Sequence, residues 1–332
     1  MRLWSLIWLG LTAGCGGGSD RTVVVVGFRA EPGLAVPGQV MVSDDGETFG
    51  LPEPIGDGEW LTEVALAGDR FLAIGLSGGL WESDGRAADW TGRRLHDTWL
   101  DAISAPRGAP GVLFAAGLGA FWRSDDGGET FAEHEPPGLY FEDFAFVDAA
   151  VGAGVEGTLA PAGGTIWWTP DGGETWSARV SAPRALRAIA LAGGGDGDSE
   201  MWAAGDGGTV VVSTNAGIGW RDHSGPTRVE PPSDLTDIDF ASDGAGWLVG
   251  TRGAARAYRG RELPEEQRWT NGSAGDYVLQ GVFAVSRDEA YATGYRSFSD
   301  RGVVLRTRDG GGSWRVLAET PGIFWYSIAG RP

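Results

Sequence analysis

The sequence predicts an all-β chain folded as a seven-bladed β-propeller of four-stranded blades. Short apolar runs such as TVVVVGF, GVLFAAG and GTVVVST recur throughout, bounded by Gly, Pro, Asp and Ser, and no stretch carries apolar residues at helical spacing over several turns. Seven runs end in glycine, at Gly27, Gly75, Gly117, Gly154, Gly205, Gly250 and Gly294. Each is followed by a second apolar run and then an aromatic: Phe49, Trp90, Phe131, Trp176, Trp220, Trp269 and Trp314, spaced 41, 41, 45, 44, 49 and 45 residues apart. Four short strands in a period of that length make one propeller blade.

The two ends of the chain predict how the ring closes. The N-terminal repeat begins at its second strand, TVVVVGF, whereas the C-terminal GIFWYSIAG matches the first strand of the other repeats, as in EWLTEVALAG and LYFEDFAF. Residues 322–330 are therefore expected to complete the blade begun by residues 21–50, a seam that leaves no open sheet edge at the termini.

The body of the chain, 21–332, is read as one propeller domain. Before it, MRLWSLIWLGLTAGCGGGSD has one Arg, an apolar run too short to span a bilayer and small residues ahead of Cys15, the single cysteine. Residues 1–14 read as an export signal. LTAGC resembles the lipobox of bacterial lipoproteins, with Thr12 where Leu or Val is preferred, which implies acylation of Cys15 and cleavage just before it. Residues 15–20 then form a lipidated, Gly-rich tether, and Gly16 implies the outer membrane in a Gram-negative cell. The protein is expected to be exported, with its domain in the periplasm or on the cell surface.

The formal charge is −19, and every cation is Arg. This acidity argues against nucleic acid as a partner and against an anionic bilayer as one for the body of the domain; the membrane is met through the lipid alone. A monomeric ring is expected.

A polar box precedes most of the aromatics. Ser124, Asp126, Gly128, Thr130 and Phe131 fit S-x-D-x-G-x-T-aromatic, as do Thr169, Asp171, Gly173, Thr175 and Trp176, and Thr307, Asp309, Gly311, Ser313 and Trp314. The boxes from Ser43, Ser83 and Ser213 are degenerate, and RGRELPEEQRW replaces the sixth. The pattern suits a hairpin: Gly supplies positive φ, the Asp and Ser or Thr side chains bond local backbone groups, and the aromatic wedges between sheets. No box offers the spaced ligands and distal Glu of a calcium loop, and GGGDGDSE, with Asp196, Asp198 and Glu200, reads as a polar insertion. No metal and no cofactor are expected.

The boxes resemble the Asp-box, or BNR-type, repeat of sialidases, sortilin-like receptors and photosystem II assembly factors. Phrases such as GWLVGTRG and TPDGGETW are most similar to the last of these. The resemblance implies that the box turns lie opposite the ligand face, and that an arginine-rich patch binds a client protein.

On the expected upper face, the residues two past each strand-ending Gly include Arg29, Arg252 and Arg296, on consecutive blades 1, 6 and 7. They form either a basic sector for a carboxylate or phosphate, or solvated pairs with acids such as Glu31 and Asp300. Trp60, Trp99, Tyr140 and Phe324 start first strands near the same rim and are either binding anchors or blade packing. Asp101, Glu142, Asp143, Asp237 and Arg187 are expected to face the channel. No G-x-S-x-G elbow, metal-spaced His pair or phosphate loop is present, and catalytic residues are not expected. The expectation is a non-enzymatic, lipid-anchored module that binds an envelope protein or peptide. The alternative is a carbohydrate-binding or sialidase-like glycoside hydrolase, against which stands the six-bladed architecture of sialidases.

Overall fold

A computed structural model describes residues 21–30, 37–56, 58–106, 108–134, 138–157, 163–193, 200–225, 232–260 and 268–331. The expected signal, Cys15 and the tether lie outside them, as do Glu31, Asp196 and Asp198. The described residues form seven four-stranded antiparallel sheets arranged as a ring.

Blade 2 shows the plan. Its strands Leu61–Ala67, Arg70–Gly75, Gly79–Ser83 and Trp90–Arg94 run outward from the central channel as a simple meander. Blade 1 is composite: Ile323–Gly330 is its innermost strand and pairs with Val23–Arg29, followed by Gly38–Ser43 and Glu53–Ile55. The predicted seam between the chain ends is therefore present.

Blade faces are apolar on both sides, because each is covered by a neighbour. Seven hydrophobic clusters result, one in each gap between blades. Between blades 3 and 4, Phe114 stacks on Phe146 with centroids 3.7 Å apart, and Trp176 closes on Phe141 at 4.5 Å. Burying such rings contributes about 25 cal/mol per Å2 of apolar surface removed from water, which makes the gaps between blades the core of this fold.

The strand-ending glycines mark a close approach. Their strands end where the preceding blade segment enters the innermost strand, and a Cβ at Gly117 would lie 1.8 Å from the Trp99 carbonyl oxygen, at Gly250 1.9 Å from that of Asp234. No side chain fits there. Just beyond, every innermost strand bulges by one residue: Thr62, Asp101, Glu142, Arg187, Thr236, Gln280 and Tyr326 are the residues skipped in the pairing.

The polar turns share one hydrogen-bond pattern. In blade 4 the Thr169 hydroxyl donates to Asp171 Oδ1 (2.8 Å) and accepts the Gly173 amide (2.9 Å), while Asp171 accepts the amide (2.9 Å) and hydroxyl (2.6 Å) of Thr175. Ser124 and Asp126, and Thr307 and Asp309, repeat it in blades 3 and 7. Trp176 donates its indole N–H to Gly173 O (3.0 Å). These carboxylates are consumed in closing turns.

Candidate functional site on the upper face

The face opposite the polar turns is built by the segments between the second and third strands and by the entries to the innermost strands. At the meeting of blades 7, 1 and 2 these segments bring together five aromatic rings. Trp60 stacks on Phe28 with centroids 4.4 Å apart and planes 6° from parallel. Phe28 also meets Phe324 at 5.7 Å and Tyr326 at 5.5 Å, and Phe324 meets Tyr295 edge-on at 5.1 Å. Trp60 remains 45% exposed, and Tyr326, a bulge residue at the channel mouth, 37%. Exposed contiguous aromatic surface on a protein with closed inter-blade cores offers contact area to something else.

Next to the array, the turn Arg296–Arg301 carries Phe298 fully exposed and in the left-handed region at φ 59°. Holding a bulky side chain there costs about 1–2 kcal/mol, and nothing in the fold is gained by burial of the ring.

The sequence-predicted residues divide as follows. Trp60 and Phe324 belong to the array. Trp99, 44% exposed, sits on the neighbouring blade 3 rim. Tyr140 lies away from them on blade 4, its phenol beside Asp101; burial and then the Asp101 and Glu142 charges hold that phenol above its ordinary range. Arg29 ends the second strand of blade 1, across from Ile323. Arg252 is exposed at the top of blade 6, in the left-handed region at φ 59°. Arg296 is partly committed: its guanidinium lies over the Tyr277 ring at 5.4 Å and pairs with Glu319 at 3.5 Å, which also faces Arg301 at 3.7 Å. Glu319, rather than Asp300, is the acid found beside it among the described residues, and Glu31 lies outside them.

The channel beneath is acidic. Arg187 bonds Glu142 (3.0 Å) and Asp206 (3.0 Å). Burial pushes Asp101 up to about 6 and raises Glu142 despite Arg187. Deeper lie Glu63, Asp143, Asp237 and Asp239, of which Glu63 and Asp239 escaped the sequence reading. No cluster of three ligand-type side chains suited to a metal ion occurs among the described residues.

Phe28, Tyr295 and Tyr326 also escaped that reading as members of the rim. Phe28 follows the strand-ending Gly27 directly, and Tyr295 occupies the same place after Gly294, so the position one past each glycine was the available signal.

No family model matches the chain, and no curated protein matches it in sequence. Solved structures match it in fold. YCF48 bound to a D1 peptide superposes with a TM-score of 0.57 at 14% identity, over 80% of this chain and 90% of that one. YCF48 from Cyanidioschyzon merolae gives 0.57 at 15%, over 79% and 86%. The GH74 enzyme of Niastella koreensis gives 0.59 at 13%, over 78% of this chain but only 45% of that one, so the chain spans under half of the GH74 protein. The chain is thus a seven-bladed β-propeller that resembles YCF48 in fold.

Proposed function

We propose that this propeller is a non-enzymatic binding module of the bacterial cell envelope, held to the membrane through a lipidated Cys15, that takes a protein or peptide segment on its upper face. The observation that carries the reading is the array of half-buried Phe28 and Phe324 with exposed Trp60 and Tyr326, on blades 1 and 2, with Arg29 on blade 1 and Arg296 on the adjoining blade 7. Rigid aromatics beside a guanidinium are the side chains that dominate binding energy at protein interfaces. A YCF48 propeller is bound to a D1 peptide, which supports peptide binding by this fold.

The test is recovery of partners from membranes in mild detergent, comparing the parent with Trp60→Ala and with the triple variant Arg29→Ala, Arg252→Ala, Arg296→Ala. A partner held by the parent and lost from both variants supports the reading. Equal recovery with the triple variant removes the arginines from it. Incorporation of labelled fatty acid into the parent but not into Cys15→Ala tests the anchor.

A second reading is glycan binding or hydrolysis. It is favoured by Asp101 and Glu142, two carboxyls raised by burial at the channel mouth beside Tyr140. Release of reducing ends from a β-glucan, abolished by Asp101→Asn, would establish it in place of the first.

A further inference from the structure

The residue after each bulge occupies the same place on all seven innermost strands: Ser327, Glu63, Ala102, Asp143, Ala188, Asp237 and Gly281, in order around the ring from blade 1. They alternate. Glu63 on blade 2 accepts the amide of Ile103 on blade 3 (2.6 Å), Asp143 on blade 4 that of Ile189 on blade 5 (2.7 Å), and Asp237 on blade 6 that of Val282 on blade 7 (2.7 Å). Asp239 adds a bond to Ala284 (2.8 Å) across the last gap. The receiving positions, Ala102, Ala188 and Gly281, have no acceptor to pass the pattern on.

Bulge residues of blades 2, 4 and 6 reach across the same gaps, while Asp101 on blade 3 lies beside Tyr140 of blade 4. Thr62 donates its hydroxyl to Leu100 O (2.8 Å), Thr236 to Leu279 O (2.7 Å), and Glu142 pairs with Arg187. Side chains of the innermost strands thus fasten blades 2 to 3, 4 to 5 and 6 to 7, while Ser327 accepts the Val64 amide (3.2 Å) between blades 1 and 2.

We propose that Glu63, Asp143 and Asp237 form a proton-loaded clamp that joins the blades in pairs, so that the ring is held more tightly at mildly acidic than at neutral pH.

The charges around the three decide the direction. The innermost strands carry Tyr326 on blade 1, Asp101 on blade 3, Glu142 on blade 4, Asp239 on blade 6 and the neutral Gln280 on blade 7, with Tyr140 beside Asp101 and Glu142. Arg187 on blade 5 is the cation among them, and it is engaged by Glu142 and Asp206. The trio therefore meets acids: burial and then Asp143 raise Glu63, and burial, with Asp237 as a further contributor, raises Asp143, against the amides that favour their charged forms. Burial pushes Asp237 up to about 7.

A carboxyl raised in the folded state binds its proton more tightly there than in the unfolded chain. Stability is then largest below the folded value and falls as pH rises through it. For Asp237 alone, a shift from roughly 4 unfolded to about 7 folded lowers the folding equilibrium constant by on the order of tenfold between pH 5.5 and 7.5.

The experiment is urea unfolding of the full chain at pH 5.5 and 7.5, with Asp237→Asn and the triple variant Glu63→Gln, Asp143→Asn, Asp237→Asn. The parent is expected to unfold at higher urea at pH 5.5, Asp237→Asn to lose about tenfold of that pH dependence, and the triple variant to lose most of it. Equal or greater parent stability at pH 7.5, or an unchanged pH dependence in the triple variant, overturns the proposal. Where the triple variant does not fold, proton release from the parent on unfolding at pH 6 in unbuffered solution decides: one or more protons per chain supports the clamp, and none, or uptake, overturns it.

Discussion

The seam between the chain ends is closed by more than strand pairing, and removing Glu289 tests how much the addition contributes. Arg306 on blade 7 is only 5% exposed. Its guanidinium pairs with Glu289, with Glu47 of blade 1 at 2.8 Å and with the Gly46 carbonyl at 2.9 Å, and lies over the Tyr291 ring at 4.9 Å. The Tyr291 hydroxyl donates to the same Gly46 carbonyl, and Arg21, before the first strand, also pairs with Glu289. One carboxylate thus ties two arginines from opposite ends of the chain. Burial would raise the Glu47 carboxyl, but Arg306 and Arg308 hold it below the usual range, so it stays charged beside them.

In Glu289→Ala, Arg306 keeps Glu47 but loses its more buried partner, and Arg21 keeps, among the described residues, the Tyr291 hydroxyl. Breaking a buried pair costs about 3–5 kcal/mol, and the remaining Glu47 places this case at the low end, about 3 kcal/mol. Urea unfolding at pH 7 measures the loss. Combining Glu289→Ala with Arg306→Met, which fills the same space without charge, isolates the pair: the double variant is expected to be at least 1 kcal/mol more stable than the two single losses added together. A loss under about 0.5 kcal/mol, or strict additivity, would refute the argument that the pair holds the seam.

Three further outcomes are expected. Gly250→Ala places a Cβ 1.9 Å from the Asp234 carbonyl oxygen and is expected to lower stability by about 1–3 kcal/mol in the same assay. Ala216 occupies the left-handed region at φ 57°, in the turn place held by Gly127 and Gly172 elsewhere; Ala216→Gly is expected to raise stability by about 0.5–1 kcal/mol, read as a shift of the urea midpoint. Asp309 is held down at about 2 by the Ser313 hydroxyl and amide, so its contribution is present above pH 4 and lost as pH falls towards 2; Asp309→Ala should flatten the acid limb of the stability curve without changing the limb between pH 5.5 and 7.5.

What was legible in the sequence is what every blade must solve alike. Gly117 and Gly250 stand at a backbone approach that admits no Cβ, and the turn around Asp171 repeats around Asp126 and Asp309. Such constraints recur at the blade period, so position alone reveals them. The upper-face array occupies two repeated positions, the start of the innermost strand and the place one past the strand-ending glycine, but which blades carry aromatics there follows no period. Phe28, Trp60, Tyr295 and Phe324 come from three blades and both ends of the chain, and their stacking follows from ring closure, which no local window contains.

The channel acids fall between these cases, and they show where a repeat protein stores its individuality. Asp143 and Asp237 could be placed in the channel from the strand pattern, because each occupies a repeated position. Their reach to Ile189 and Val282 could not be read, because those amides belong to the next blade of the ring. Ala188 and Gly281 directly precede the amides that the acids bond, and nothing local sets them apart in a chain rich in alanine and glycine. In a ring of near-equivalent blades, identity at a repeated position secures the fold, and departure from it marks the places where one blade does something its neighbours do not. Arg187, the cation among seven bulge residues, and the alternation of acid with alanine or glycine below it are such departures, which is why the channel can bind protons as well as hold the ring.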